Sequence, residues 1–154
     1  MRIIILLVLS LLPSLSIACS CGKVDLEKVI KNSKYVFIAT ITSTKINGSG
    51  EEFLKSVAAD FKLVKSLKGN PKTLKKLYSG FGGGDCGIPF NVGFQYIIYT
   101  NDGTTSICSG SQIYPGENND DGFSTQVSEF IKSGKKLDLD NIFFIDSLDQ
   151  DCTQ

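Results

Sequence analysis

Cys19-Ser20-Cys21 follows directly on an apolar leader that ends Ser16-Ile17-Ala18. Cleavage after Ala18 leaves a cysteine as the first residue of the mature chain. Its α-amino group, thiol and carbonyl then lie on one residue, and a second cysteine two positions on can pin the terminus from the other side. Few structural purposes require a cysteine at the very first position, so function has to account for it. Cys86, Cys108 and Cys152 complete a set of five, all in the exported part. In an oxidising compartment such residues become disulfides. An odd number leaves at least one free, intermolecular or modified.

Other uses of clustered cysteine fit less well. Structural zinc is disfavoured because histidine is absent and no Cys-x-x-Cys spacing occurs. Redox catalysis lacks the surrounding βαβ pattern. The leader itself has the order of a secretory signal: Met1-Arg2, an apolar run from Ile3 to Leu9, and small residues at 16 and 18. The apolar run is too short to span a bilayer, and Pro13 interrupts the rest. Leu15 to Cys19 also resembles a bacterial lipobox, with Ser16 where leucine is usual. The two fates exclude each other at Cys19, because a lipidated sulfur cannot form a disulfide. The expected organisation is therefore a signal peptide over 1–18 and a single domain over 19–154, secreted or periplasmic, or lipid-anchored at the surface if Cys19 is modified.

That domain is long enough to bury a core without metal. Arg2 is the one charge in the leader, so the mature chain carries 15 basic and 16 acidic residues. Near-neutrality argues against a nucleic-acid partner bound by phosphate neutralisation. The alternation in Lys72-Thr73-Leu74-Lys75-Lys76 suits a solvated strand face. Without histidine no Ser/His/Asp or Cys/His set can form, and no pair of carboxylates is singled out, so an enzyme is not expected. Gly80-Phe81-Gly82-Gly83-Gly84-Asp85-Cys86-Gly87 lacks the Gly-Lys-Ser/Thr ending of a phosphate loop and reads as a flexible connector that lets Cys86 reach its partner. Glu117 to Gly122 is acidic, but its spacing is not that of an EF-hand, and a solvated loop is expected.

The elements that must position these cysteines are mostly strands. Asp25 to Asn32 is predicted as a short helix with Asp25 as N-cap. Tyr35 to Thr42 is a strand rich in β-branched and aromatic residues. Asn47-Gly48-Ser49-Gly50 breaks the chain, and Val57 to Leu67 alternates as a half-buried strand. A third strand is expected over Thr73 to Phe81 and a fourth over Phe94 to Thr100. Asn101-Asp102-Gly103 is a hairpin signal, with Thr104 to Cys108 returning as the fifth. Ser124 to Lys132 has helical spacing and stops at Gly134. The pattern predicts a mainly β fold, a small closed five-stranded barrel with flanking helices. Alternating strand positions place most Phe and Tyr in its core rather than on a single-strand nucleic-acid surface.

The cysteine frame resembles a known module. Cys19-x-Cys21, a third cysteine in Cys86-Gly87 and a fourth in Thr104-Thr105-Ser106-Ile107-Cys108-Ser109 look like the inhibitory domain of the tissue inhibitors of metalloproteinases, which belongs to the netrin-like class. Asn32-Ser33 with Tyr35-Val36-Phe37-Ile38-Ala39, and Ser66-Leu67-Lys68-Gly69, are similar to further segments of that family. The resemblance implies an OB-fold-like Greek-key barrel and pairings Cys19–Cys86 and Cys21–Cys108, each closing a long loop worth roughly 4 kcal/mol on the chain-entropy account. Two departures stand out. No cysteine lies near Lys31 for the family's third bridge, so Cys152 is expected to stay unpaired, and the family's second, C-terminal domain is not expected in this chain.

The resemblance also implies a mechanism. The α-amino nitrogen and carbonyl oxygen of Cys19 would chelate the catalytic zinc of a target metalloprotease, closing a five-membered ring at the position water normally holds. An α-amine titrating near ~7.7–8.0 deprotonates at little cost beside zinc coordination. Ser20 would point into the pocket beside the zinc, Cys21 would continue the inhibitory edge, and Gly87 and Ile88 would form the neighbouring contact strip. The chain would need no cofactor of its own, because the zinc is the protease's. The rival expectation is a non-inhibitory netrin-like binding module, which lipidation of Cys19 would select.

Overall fold

The computed structural model describes residues 21, 23–47, 53–82, 85–140 and 142. The chain enters helix α1 (Leu26–Asn32) through Asp25, whose carboxylate accepts the Lys28 amide at 3.0 Å. Such an N-cap satisfies one of the donors that a helix start leaves unpaired. Leu26 and Ile30, one turn apart, are buried. The helix stops at Ser33, whose hydroxyl donates to the Val29 carbonyl.

Strand β1 (Tyr35–Ile46) is the centre of the molecule. It pairs antiparallel with β2 (Val57–Lys68) on one side and β4 (Gln95–Thr100) on the other. Its side chains divide by pleat, as period-two geometry requires. Val36 and Ile38 join one core cluster, while Tyr35, Phe37, Ala39 and Ile41 join another. Strand β4 divides the same way, Ile97 and Tyr99 to the first cluster and Tyr96 and Ile98 to the second. The first cluster lies under α1 and a second helix, α2 (Phe123–Ser133). The second is filled by Ala59, Leu77, Ile88 and Phe90. Three register shifts along the β1–β2 ladder mark bulges, which sharpen strand bend and twist.

Two short edge strands, β3 (Leu77–Ser79) and β5 (Gln112–Ile113), complete a five-stranded antiparallel sheet ordered β3-β2-β1-β4-β5. The sheet is open. Across the gap runs one parallel bridge, Tyr78 with Thr104: the Tyr78 amide donates to Gly103 and its carbonyl accepts from Thr105, both at 2.9 Å.

Several expectations change here. The Asn101–Gly103 turn does not return the chain beside β4. Thr100 Oγ1 accepts the Gly103 amide and donates to the Thr104 carbonyl, so the chain crosses towards β3. Thr104 to Cys108 is therefore not a strand: Thr104 makes the isolated bridge and Ile107–Ser109 is a 3-10 turn. Strand β5 follows it instead. The third strand is much shorter than Thr73 to Phe81, because Pro71–Thr73 forms a 3-10 turn that also removes Lys72 from any strand face. Among the described residues continuous pairing does not close the sheet into the expected barrel.

The corner near Lys31 is held without a disulfide. The Lys31 ammonium sits 5.2 Å from the Phe130 ring centroid, and Lys68 donates to the carbonyls of Ile30 and Lys31 at the end of α1. Glu27 accepts the Leu137 amide at 3.2 Å. Beneath these contacts Leu26, Ile30, Val127, Phe130 and Ile142 are buried together.

Candidate functional site

The described half-cystines gather at one end of the sheet. Cys21 and Cys108 form a disulfide with Cα atoms 5.2 Å apart across 87 positions of sequence. Cys86 is a half-cystine as well, and its partner lies outside the described residues. The carbonyl of Cys86 accepts the Ile107 amide at 3.0 Å. The two loops that carry Cys86 and Cys108 are thus joined backbone to backbone, one residue from the Cys21 bridge. Cys19, Ser20 and Cys152, with the whole segment expected as a signal peptide, lie outside the described residues.

The Cys108 turn is fixed from below. Ser106 and Ser109 cap the 3-10 turn reciprocally, and Gly110 closes it in the left-handed conformation at φ +75°. The hydroxyls of Thr105, Ser109 and Ser111 hydrogen-bond to one another, and Ser111 Oγ accepts the buried Tyr99 amide. Any Cβ at position 110 would press on Val24, with Leu26 and Val29 close behind. The turn that bears Cys108 is therefore seated directly on the entry to α1, the segment that begins two residues after Cys21.

The Cys86 loop is fixed by a single carboxylate. Asp85 accepts the amides of Phe81 at 2.6 Å, Gly82 at 2.9 Å and Gly87 at 2.9 Å. Burial opposes the Asp85 charge, but the bonds from Gly87, Phe81 and Gly82 together outweigh it and hold the group below the usual carboxylate range. Next to it Cys86 adopts φ +58°, a conformation that costs a non-glycine residue about 1 kcal/mol. The strands of the loop touch so closely that a Cβ on Gly87 would run into the Gly80 backbone. Ile88 then donates its amide to the buried Ser79 hydroxyl at 2.6 Å, returning the chain to the end of β3. The glycine-rich segment, expected as a flexible connector, is a built turn over its described residues.

Of the expected contact residues, Gly87 is buried and Ile88 is 3% exposed and belongs to the second core cluster. Ile88 also lines a surface cavity of about 370 Å³ with Pro89, Ile107, Ile113 and Pro115 among its walls. The apolar groups open to solvent around the half-cystines are instead Phe81 at 57%, Ile113 at 48% and Ile107 at 38%. The sequence carried a signal for one of them, Phe81 lying between two glycines; Ile107 in its 3-10 turn and Ile113 in β5 had none. Among the described residues no cluster of three or more His, Cys, Asp or Glu could hold a metal ion, and no helix is long and apolar enough to cross a membrane.

The acidic loop is solvated as expected at Glu117, Asn118, Asn119, Asp121 and Gly122, and Asp120 is its one buried residue. Asp120 is 4% exposed; its carboxylate accepts the Tyr114 hydroxyl at 2.6 Å and the amides of Gly122 and Ser124 at 3.0 Å. These bonds commit it to the start of α2.

No protein-family model matches the chain. Over 99 residues it is 29% identical to Metalloproteinase inhibitor 2 of Canis lupus familiaris and 30% identical to that of Cavia porcellus. Each alignment covers 60% of this chain and 45% of the relative, so the chain spans less than half the length of the curated relatives it matches. The distant similarity is to inhibitors and not to an enzyme, and it agrees with the disulfide that joins Cys21 to Cys108.

Proposed function

We propose that the mature chain is a secreted inhibitor of zinc metalloendopeptidases that acts through its own first residue. The free α-amine and carbonyl of Cys19 chelate the zinc of the target, Ser20 enters the pocket beside it, and a Cys19–Cys86 disulfide joins the terminus to the clipped loop. Cys152 stays unpaired. In this reading the strands complete an OB-fold-like barrel, with the Tyr78–Thr104 bridge as its closing contact.

One observation carries the proposal. Cys21 is bridged to Cys108 in a turn hydrogen-bonded to Cys86, so the residue two positions after the cleavage point has a rigid seat beside a second half-cystine. Pre-ordering of this kind removes much of the entropy cost a loose terminus would incur on binding. The distant similarity to Metalloproteinase inhibitor 2 supports the same reading. Contacts beyond the terminus fall to the exposed Phe81, Ile107 and Ile113, while Gly87 and Ile88 contribute through backbone and cavity wall.

The test compares the native mature protein with one carrying an additional alanine before Cys19 and one acetylated at its amine. The native form should inhibit a zinc metalloendopeptidase catalytic domain, and both modified forms should lose at least ~100-fold in inhibition constant with unchanged thermal unfolding, as removal of a metal ligand requires. Equal inhibition by all three would sink the mechanism. Intact mass decides the rival: an unmodified Cys19 start with two disulfides fits the inhibitor, and an added lipid mass marks a surface-anchored binding module.

A further inference from the structure

The glycine-rich turn contains one charged side chain, and its carboxylate bonds to amides of the same turn. Asp85 directs both carboxylate oxygens inward, one to the Phe81 amide and the other to Gly82 and Gly87. The three donors come from both sides of Cys86, so the carboxylate ties the incoming and outgoing strands of the loop together across the half-cystine. The bonds are charge-assisted and therefore among the stronger kind. They hold Cys86 at φ +58° and its carbonyl towards the Ile107 amide.

We infer that Asp85 is a positioning residue for inhibition: it presets the loop geometry that seats the chain terminus through Cys86. The inference rests on the proposed inhibitory function and adds a residue to it. Asp85 touches neither the target nor its zinc in this account; it acts through Cys86. Without the clip the glycines around position 82 and the strained Cys86 φ favour other loop conformations. The terminus would then occupy its binding-competent position only part of the time. Apparent affinity falls in proportion to the occupied fraction, so inhibition weakens once the open loop becomes the major form.

The experiment uses the full mature chain as wild type, Asp85→Asn and Asp85→Ala. Amide hydrogen exchange at Phe81, Gly82 and Gly87, the melting temperature and the inhibition constant against one zinc metalloendopeptidase catalytic domain are measured on each, with inhibition corrected for folded fraction. Asp85→Ala should bring exchange at the three amides close to that of an open loop and weaken inhibition by about 10-fold, the inverse of the closed fraction that remains. Asp85→Asn keeps one acceptor oxygen and should fall between, which also secures the test if the alanine variant folds poorly. A purely structural role would lower the melting temperature and leave the folded fraction inhibiting normally. Unchanged exchange, or faster exchange with unchanged inhibition, overturns the inference. A wild type that inhibits no metalloendopeptidase overturns the functional proposal instead, and with it the role of Asp85 in inhibition.

Discussion

Two aspartates do similar work in two loops of different standing. Asp120 gathers Tyr114, Gly122 and Ser124 at the start of α2, nine-tenths or more out of solvent and against the first core cluster. Asp85 gathers Phe81, Gly82 and Gly87 at the rim, half-buried and beyond the second cluster. In both, burial resists the charge and several hydrogen bonds outweigh it, so both carboxyls titrate below their usual range. What differs is the company. Removing Asp120 takes an acceptor from a buried phenol and from the donors of a helix start, whereas at Asp85 the Phe81 amide can turn to water. The same chemistry thus secures the fold in one loop and sets the shape of the Cys86 turn in the other.

The comparison can be broken most forcefully at the deeper site. Asp120→Ala should cost about 3 kcal/mol, since several buried donors lose their acceptor at once, and lower the melting temperature by roughly 10 °C. The molecules that remain folded should inhibit as wild type does. Thermal unfolding with inhibition titrated below the transition checks both halves, and a loss of inhibition in the folded fraction would erase the distinction between the loops.

Acid sharpens the same contrast with a smaller effect. Because both carboxyls have lowered folded values, their stabilisation is fully present above the unfolded carboxyl range near ~3.9 and is lost as pH falls through the folded values. Denaturant unfolding of the wild type should therefore lose stability in this acid range. Asp120→Asn should flatten that decline more than Asp85→Asn, and a variant that declines as steeply as wild type would show its carboxylate contributes nothing. The smallest change is expected at Tyr99, whose buried hydroxyl has no hydrogen-bond partner among the described residues. Tyr99→Phe should be neutral or stabilise by up to about 1 kcal/mol; a clear destabilisation in the same assay would reveal a partner for that hydroxyl.

The sequence was most legible where a residue type acts on its own neighbours. Asp25 capping α1, Gly134 closing α2 at φ +71° and the apolar alternation of β1 and β2 all follow from local rules. Legibility failed where a side chain redirects backbone. Asn101-Asp102-Gly103 has hairpin composition, yet Thr100 Oγ1 turns the chain towards β3. Asp85 and Asp120 bond mainly to amides, which every residue but proline carries, so their partners leave no mark in residue identity. Ile88, which the family resemblance puts in a contact strip, packs into the second core cluster at the end of β3, its amide bonded to Ser79. The pairing of Cys21 with Cys108 came from the family resemblance and not from spacing, and that bond is present.

The Tyr78–Thr104 bridge has a bearing on strand alignment. It locks the position of β3 along the sheet to a point four residues before Cys108. A misaligned β3 that still kept its apolar face inward would be off by two residues, or about 6.6–6.8 Å. Such a slip would break both 2.9 Å bonds of the bridge, while the Cys108 turn keeps its own seat through the Ser111–Tyr99 bond. The bridge thus ties the alignment of an edge strand to the segment that carries the rim disulfide.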